Sequence, residues 1–226
     1  MEYVIGLVDE EPDQLSAIRR TIKTHIHNQD IDVSFKVYPL EGGADTLSEN
    51  VANDVLHDIV SGAINSLVID YKIMIQSAMV EGTDIYKRIL EKVPKFPVII
   101  LTNVPDDCYK KSFVDADKVY SKRAFFKLEG DYSKDKTKSI LINMQQYHKR
   151  RTELATKQTE QLEKIRDDGF SLEVYQELLH VEKKLGELYP QDQTQVDIAL
   201  DLNDLKEAVD LLDRADKLRG GSDYGA

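Results

Sequence analysis

The sequence predicts an α/β domain with a doubly wound, five-stranded parallel sheet, followed by an all-α helical hairpin or bundle. In residues 1–130, short apolar runs alternate with segments whose apolar residues recur at helical spacing. That alternation is typical of a parallel sheet that helices cover on both faces. After residue 130 only the helical spacing continues. We therefore predict a sheet domain at 1–130, a helical region at 131–219 and a disordered tail at 220–226.

Five short segments predict the strands of the sheet. They are YVIGLV (3–8), DVSFKVY (32–38), NSLVID (65–70), FPVIILT (96–102) and DKVYSK (117–122). The second segment alternates between apolar and polar residues, which indicates one drier face and a position nearer the edge of the sheet. The fourth is continuously apolar, which indicates burial on both faces.

Apolar stripes between the strands predict the helices of the sheet domain. The stripes are Leu15, Ile18, Ile22 and Ile26, then Leu47, Val51, Val55, Leu56 and Ile59, and then Ile85, Ile89 and Val93. Pro12 opens the first helix, because proline fits the first helical turn, and Pro94 ends the third. A turn at Gly42 and Gly43 precedes the second helix. Residues 105–114 predict only a short helix or turn.

The rest of the chain predicts three further helices. A long helix is expected at 133–165, where no proline or glycine occurs and polar residues interrupt a weak apolar stripe. Ser171 can cap the next helix, which Pro190 stops, and another apolar stripe lies at 196–215. We expect these acidic helices to bind a protein partner or a second copy of the chain, or to pack against each other.

Composition and charge argue against several function classes. The formal net charge of -11 argues against nucleic acid and anionic membranes as partners. No apolar run approaches the ~18 residues of a membrane helix, and no signal segment opens the chain. The single cysteine, Cys108, excludes an internal disulfide. We therefore expect a cytoplasmic protein.

Motifs of several other site classes are missing from the sequence. It contains no GxxxxGK[ST] loop, dinucleotide-binding fingerprint, zinc-ligand spacing or G-x-S-x-G elbow. The one dense basic cluster is HKRR (148–151). Contact with nucleic acid is one interpretation of this cluster. A solvated helix face, or contact with the acidic helices downstream, is the interpretation that we favour.

Polar side chains follow four of the five predicted strands. In strand order they are Asp9, Glu10 and Glu11, then Asp70, then Thr102, and then Lys122. In a doubly wound sheet, ligands bind beyond the carboxyl ends of the strands, near the point where the strand order reverses. Taken alone, an aspartate after a strand is usually a turn former or a helix cap, and a threonine or lysine there is usually solvated surface. The ordered set, one group per strand end, predicts a shared pocket.

These strand ends resemble the receiver domain of two-component response regulators. The similar segments are LVDEEP, LVIDYKIM, GTDIYKRI, IILTNV and DADKVYSK. No single one of them is specific, but their order along residues 1–130 follows the family. The resemblance implies a flavodoxin-like order of strands and control by phosphorylation.

The resemblance also implies a role for each site residue. Asp70 would accept a phosphoryl group from a histidine kinase or a phosphotransfer protein, as a carboxylate nucleophile. Asp9, Glu10 and Asp70 would hold Mg²⁺, a hard ion that prefers carboxylate oxygens. Lys122 would pair with the phosphate, and Thr102 would donate a hydrogen bond to it. Any catalysis would be limited to the protein's own phosphorylation and dephosphorylation.

Several positions depart from the family pattern. Glu10 stands where an aspartate is usual, and the segment from Tyr71 to Glu81 is a few residues too long. Val119 stands at the aromatic switch position, and Tyr120 is displaced by one residue, so we expect it to face the other side of its strand. Asn103 and Arg123 also differ from the usual small residue and proline. A second interpretation therefore stays open, in which a receiver-like scaffold or adaptor binds partners without phosphotransfer.

Overall fold

The computed structural model describes residues 2–27, 31–75, 78–168 and 171–189. The predicted helix at 196–215 and the predicted tail at 220–226 lie outside these residues. The strands are β1 (Glu2–Val8), β2 (Asp32–Val37), β3 (Ser66–Asp70), β4 (Lys72–Ile75), β5 (Ala78–Glu81), β6 (Val98–Thr102) and β7 (Val119–Ser121). The helices are α1 (Pro12–Ile26), α2 (Ala44–Ser61), α3 (Gly82–Lys92), α4 (Pro105–Tyr109), α5 (Lys122–Phe125), α6 (Asp131–Asp168) and α7 (Leu172–Gly186), with a 3₁₀ turn at Ala116–Lys118.

Five strands form one parallel sheet in the order β2-β1-β3-β6-β7. The predicted five-stranded parallel sheet and the C-terminal helical region are therefore confirmed. The alternating strand β2 lies at an edge, as its pattern indicates, whereas every residue of β3 and β6 is buried. The strand order reverses between β1 and β3, so the carboxyl ends of these two strands flank the crevice where ligands bind in such sheets.

The sheet separates two hydrophobic cores, because successive side chains of a strand point to opposite faces. On one face, Leu67 and Ile69 of β3 pack with α2 and α3. On the other face, Val68 of β3 packs with α1 and with the first half of α6. The second core includes Ile140 and Met144 of α6. Packing around the sheet therefore continues past residue 130, into the long helix.

An antiparallel hairpin of β4 and β5 follows β3 directly. Its two strands lie within the segment from Tyr71 to Glu81, whose length departs from the receiver domains that the sequence resembles. Ile73 and Val80 lie on its buried face and join the core beside α2 and α3. Met74 and Met79 are paired on its other face, where each is 52% exposed. β4 and β5 thus form a paired element anchored beside the carboxyl end of β3.

The C-terminal helices pack against each other and against the sheet domain. Tyr147 of α6 donates a hydrogen bond to the carbonyl of Leu188 at 2.5 Å and packs edge-on against Phe96. Ser171 stands at the N-cap of α7, as predicted, but its hydroxyl makes no capping hydrogen bond. None of the helices in the described ranges combines the length and the apolarity that a membrane crossing requires.

The basic cluster at 148–151 is partly used in packing. The Arg151 guanidinium donates to the carbonyl of Ile59 at 3.2 Å and lies 4.1 Å from the centre of the Tyr189 ring. His148 lies edge-on to Tyr3. Arg151 therefore connects α6 to the end of α2 and to the residues after α7, which is a structural role.

Candidate functional site

The register of the sheet brings the predicted site residues to one edge. Val8 lies opposite Ile69, so Asp9 and Asp70 follow these partners at the carboxyl ends of β1 and β3. Thr102 lies opposite Ser121, and Lys122 follows immediately. The ends of β1, β3, β6 and β7 therefore lie at the same edge of the sheet, and the shared ligand pocket predicted there stays a prediction.

Lys122 forms ion pairs with both buried aspartates. Its Nζ lies 3.0 Å from Asp9 Oδ2 and 2.7 Å from Asp70 Oδ2. The exposed fractions are 3% for Asp9, 9% for Asp70 and 4% for Lys122, so water screens these charges weakly. Lys122 is the first residue of α5 rather than part of the strand. One lysine thus faces two carboxylates, and the three groups together keep a negative charge.

Asp9, Glu10 and Asp70 bring carboxylate oxygens together in a cluster that could hold a metal ion. Among the described residues, one carboxylate oxygen of each of these three side chains lies within 4.8 Å of the other two. Glu10 Oε1 accepts the N–H of Met74 at 3.0 Å, whereas Glu10 Oε2 is buried without a hydrogen-bond partner. A buried carboxylate oxygen without a donor is unfavourable. A hard cation on Oε2 would satisfy it, so the residues fit a bound metal ion.

The environment of Asp70 disfavours its charged form. Burial raises the pKa of Asp70 to about 6, although the hydrogen bond and charge of Lys122 act in the opposite direction, and the charge of Asp9 adds to the rise. For Lys122, burial alone would lower the pKa, but its pairing with Asp70 and Asp9 outweighs burial and raises the pKa. The lysine is therefore charged at neutral pH, and it compensates only part of the negative charge of Asp70 and Asp9.

We expect Asp70→Asn to stabilise the metal-free protein at pH 8. Between about pH 4 and pH 6 the folded state holds the Asp70 proton more tightly than the unfolded chain, so this group's contribution to stability is full at low pH and is lost as the pH rises to about 6. Removing the charge should then raise the free energy of unfolding at pH 8 by about 2–3 kcal/mol.

Urea unfolding in the presence of a chelator measures this effect. The extra free energy of unfolding of Asp70→Asn should disappear at pH 4, because Asp70 of the folded wild type is then largely protonated and, like asparagine, carries no charge. A variant that is less stable than the wild type at pH 8 would show that the ionised Asp70 is favourable on balance, and would contradict the prediction.

Thr102 at the end of β6, and Val119 and Tyr120 in β7, lie on the strands next to Asp70 and Lys122. Thr102 is buried at the end of β6, and its hydroxyl accepts the N–H of Val104 at 3.0 Å. Val119 packs in the core beside α2 and α3, whereas Tyr120 packs against Phe125 on the opposite face. Tyr120 therefore faces the side of β7 opposite Val119, as its displacement by one residue predicts.

Sequence reasoning missed a second polar group beside the site. Glu81, at the end of β5, pairs with Lys111 Nζ at 2.5 Å and accepts the hydroxyl of Tyr71 at 3.4 Å. The hydrogen bond from Lys111 lowers the pKa of Glu81. On the neighbouring strand β4, Lys72, the cross-strand partner of Glu81, lies 3.7 Å from Asp107 of α4. These pairs link the hairpin to residues 105–114, and no local motif in the sequence signals them because the partners are distant in the chain.

Comparisons with known proteins leave the family open. Neither protein-family models nor curated proteins nor solved structures match this chain. The resemblance to receiver domains therefore stays a prediction, and it depends on the residues at the strand ends. The structure adds the geometry of these residues at the carboxyl edge of the parallel sheet. Lys122 pairs with the buried Asp9 and Asp70, and Glu10 has one buried oxygen without a hydrogen-bond partner.

Proposed function

We propose that this protein is a response regulator of two-component signalling, in which a receiver domain is phosphorylated on Asp70 in a Mg²⁺-dependent reaction. One observation supports the proposal above the others. Asp70 ends the central strand of the sheet, lies 2.7 Å from Lys122 Nζ, and shares an oxygen cluster with Asp9 and Glu10. This arrangement supports the proposal because, in the proposed reaction, Asp70 would be the nucleophile, Lys122 the cationic partner of the phosphate, and the three carboxylates the metal ligands.

Each residue of the site would have a separate role in the proposed phosphoryl transfer. A carboxylate oxygen of Asp70 attacks the phosphorus, the new O–P bond forms, and the bond from phosphorus to the donor breaks, with its electron pair remaining on the donor. Lys122, already 2.7 Å from Asp70, balances the charge of the transferred group. The Thr102 hydroxyl can rotate to donate to a phosphate oxygen. Bound Mg²⁺ would be held by Asp9, Glu10 and Asp70 and would offset the charge that accumulates there.

The donor is a phosphohistidine of a histidine kinase or of a phosphotransfer protein, and we place the reaction in the cytoplasm. Phosphorylation adds about -1.5 to -2 units of charge and strong hydrogen-bond acceptors. The helical region then transmits the change to a protein partner or to a second copy of the chain. Nucleic acid is not the expected partner, because Arg151 of the basic cluster is used in packing.

We expect acetyl phosphate with Mg²⁺ to add one phosphoryl group to the wild-type protein and none to Asp70→Asn. Intact-mass measurement detects the modification, and a chelator should prevent it, because the three carboxylates would hold the metal that the proposed reaction requires. Asp106→Asn, which removes an exposed acid outside the site, is the matched control and should react like the wild type. Modification that persists in Asp70→Asn, or its absence from all three proteins, would overturn the proposal.

A scaffold or adaptor without phosphotransfer is the second candidate. The ion pairs of Lys122 with Asp9 and Asp70 satisfy much of the site without a metal, and Val119 departs from the aromatic switch residue. Such a protein would use the same fold for constitutive binding. Partner binding of equal strength for the wild type and Asp70→Asn, together with no modification by acetyl phosphate, would favour this candidate.

A further inference from the structure

The β4–β5 hairpin contacts the acidic site through its main chain. The N–H of Met74 donates to Glu10 Oε1 at 3.0 Å, and the N–H of Lys72 points to Asp70 Oδ1 at 3.4 Å. Glu10 Oε2 is buried without a partner among the described residues. Glu10 therefore holds the hairpin with one oxygen and leaves the other for a cation.

The geometry of the hairpin explains why the Met74 N–H is available. Gly82 N donates to Tyr71 O at 2.7 Å, which makes Tyr71 and Gly82 a hydrogen-bonded pair of the antiparallel ladder. Such pairs alternate with pairs that exchange no ladder hydrogen bonds. Counting along the register, Met74 and Met79 form a pair of the second kind. Their N–H groups point away from the hairpin, and that of Met74 points to Glu10.

The opposite faces of the hairpin have different environments. Ile73 and Val80 anchor one face in the core, and Met74 and Met79 expose the other to solvent. A change in the position of Glu10 would therefore act on the strand that carries one of the two exposed methionines. The ion pair of Lys72 with Asp107 extends the contact to α4.

We propose that the β4–β5 hairpin responds to metal binding at the acidic site, through Glu10. This inference rests on the metal-dependent function proposed above. A cation on Glu10 Oε2 fixes the carboxylate that accepts the Met74 N–H, so the metal-bound state holds β4 more firmly. Because coupling between two equilibria is reciprocal, the hairpin in turn strengthens metal binding. Glu10 and the hairpin then act together, so that the position of the exposed Met74 and Met79 depends on whether the acidic site holds a metal ion.

A pair of proline variants separates this hydrogen bond from the hairpin itself. Met74→Pro removes the N–H that Glu10 accepts, and it leaves the ladder intact because that N–H points outward. Met79→Pro removes the equivalent outward N–H on the other strand and is the matched control. Titration calorimetry with Mg²⁺ alone should show about a fivefold or greater loss of affinity for Met74→Pro, the lower end of typical coupling effects, and wild-type affinity for Met79→Pro.

Amide hydrogen exchange gives the second measurement. Mg²⁺ should slow the exchange of the β4 and β5 amides in the wild type and in Met79→Pro, but not in Met74→Pro. Glu10→Asp provides a variant that does not alter the hairpin sequence. Its shorter side chain keeps a carboxylate for the metal but withdraws from Met74, so Mg²⁺ should bind at least about fivefold more weakly, as in Met74→Pro, and should no longer protect the hairpin.

The outcomes distinguish this inference from the proposed function. If the wild type binds Mg²⁺ without any change in hairpin exchange, or if both proline variants lose affinity equally, the coupling is wrong and the phosphoacceptor function is unaffected. If the wild type binds no Mg²⁺ at all, both proposals fail. Selective loss in Met74→Pro, with weaker and uncoupled binding in Glu10→Asp, supports the inference.

Discussion

Replacing Lys122 by methionine should destabilise the metal-free protein by about 3–5 kcal/mol at pH 8, the range found when one partner of a buried ion pair is removed. The lysine side chain lies between Asp9 and Asp70, and its exposed fraction is only 5%. Without it, two buried carboxylates face each other with no counter-ion. Methionine keeps much of the length and volume of the side chain, so the loss reports the charge rather than a cavity.

The response of this variant to Mg²⁺ provides a sharper test than its stability alone. Lysine and metal neutralise the same carboxylates, so Mg²⁺ should raise the melting temperature of Lys122→Met more than that of the wild type. Lys118→Met is the matched control, because Lys118 pairs with the exposed Asp117 at 3.3 Å. This variant should change stability by less than about 1 kcal/mol. Equal responses to Mg²⁺ in wild type and Lys122→Met would show that the metal and the lysine do not share ligands.

The opposite signs expected for Asp70→Asn and Lys122→Met follow from the charge count of the site. Two carboxylates face one ammonium, so removing a carboxylate relieves repulsion, whereas removing the ammonium increases it. A site arranged only for stability would balance these charges. The excess negative charge is therefore consistent with a site that binds a cation, and Mg²⁺ binding measured by calorimetry is the direct check.

The sheet and the strand-end residues could be predicted because their signals are local. A short apolar run that ends in Asp70 or Thr102 predicts a buried strand, and parallel strands bring their carboxyl ends to one edge. The same rule placed Asp9 and Lys122. The displacement of Tyr120 was also predictable, because side chains alternate along a strand, and Tyr120 lies on the face opposite Val119.

The hairpin could not be predicted for a physical reason. Residues 72–81 are KIMIQSAMVE, which contain neither glycine nor proline nor an Asn-Gly or Asp-Gly turn signal. The apolar residues fall on both faces of β4, so alternation does not identify a buried side. The pairing of Glu81 with Lys111 and the contact of Glu10 with Met74 depend on this hairpin, and they were missed with it. The function proposed for Asp70 draws on local signals, whereas the response proposed for the hairpin draws on the structure.

Gly82→Ala should cause a loss of about 3 kcal/mol or more in the free energy of unfolding, at the upper end of the usual range for overpacking. Gly82 begins α3 where that helix passes the end of β3. A Cβ atom at this position would lie 1.9 Å from the carbonyl oxygen of Asp70 and 2.7 Å from Ile69 Cγ2. Because the first of these atoms belongs to the backbone, it cannot move aside without shifting the strand end that carries Asp70.

The displacement should also affect the chemistry, which makes Gly82 a test of how tightly the fold positions Asp70. We expect Gly82→Ala to react more slowly with acetyl phosphate even at temperatures where it is fully folded. Gly43→Ala is the matched control, because a Cβ atom there would meet nothing within 4 Å and the φ of -80° suits any residue. Intact-mass time courses and urea unfolding measure the two effects. A Gly82→Ala protein that matches Gly43→Ala in both would mean that α3 can move away from β3 without cost, and that the hydrogen bond from Gly82 N to Tyr71 O does not fix the distance between them.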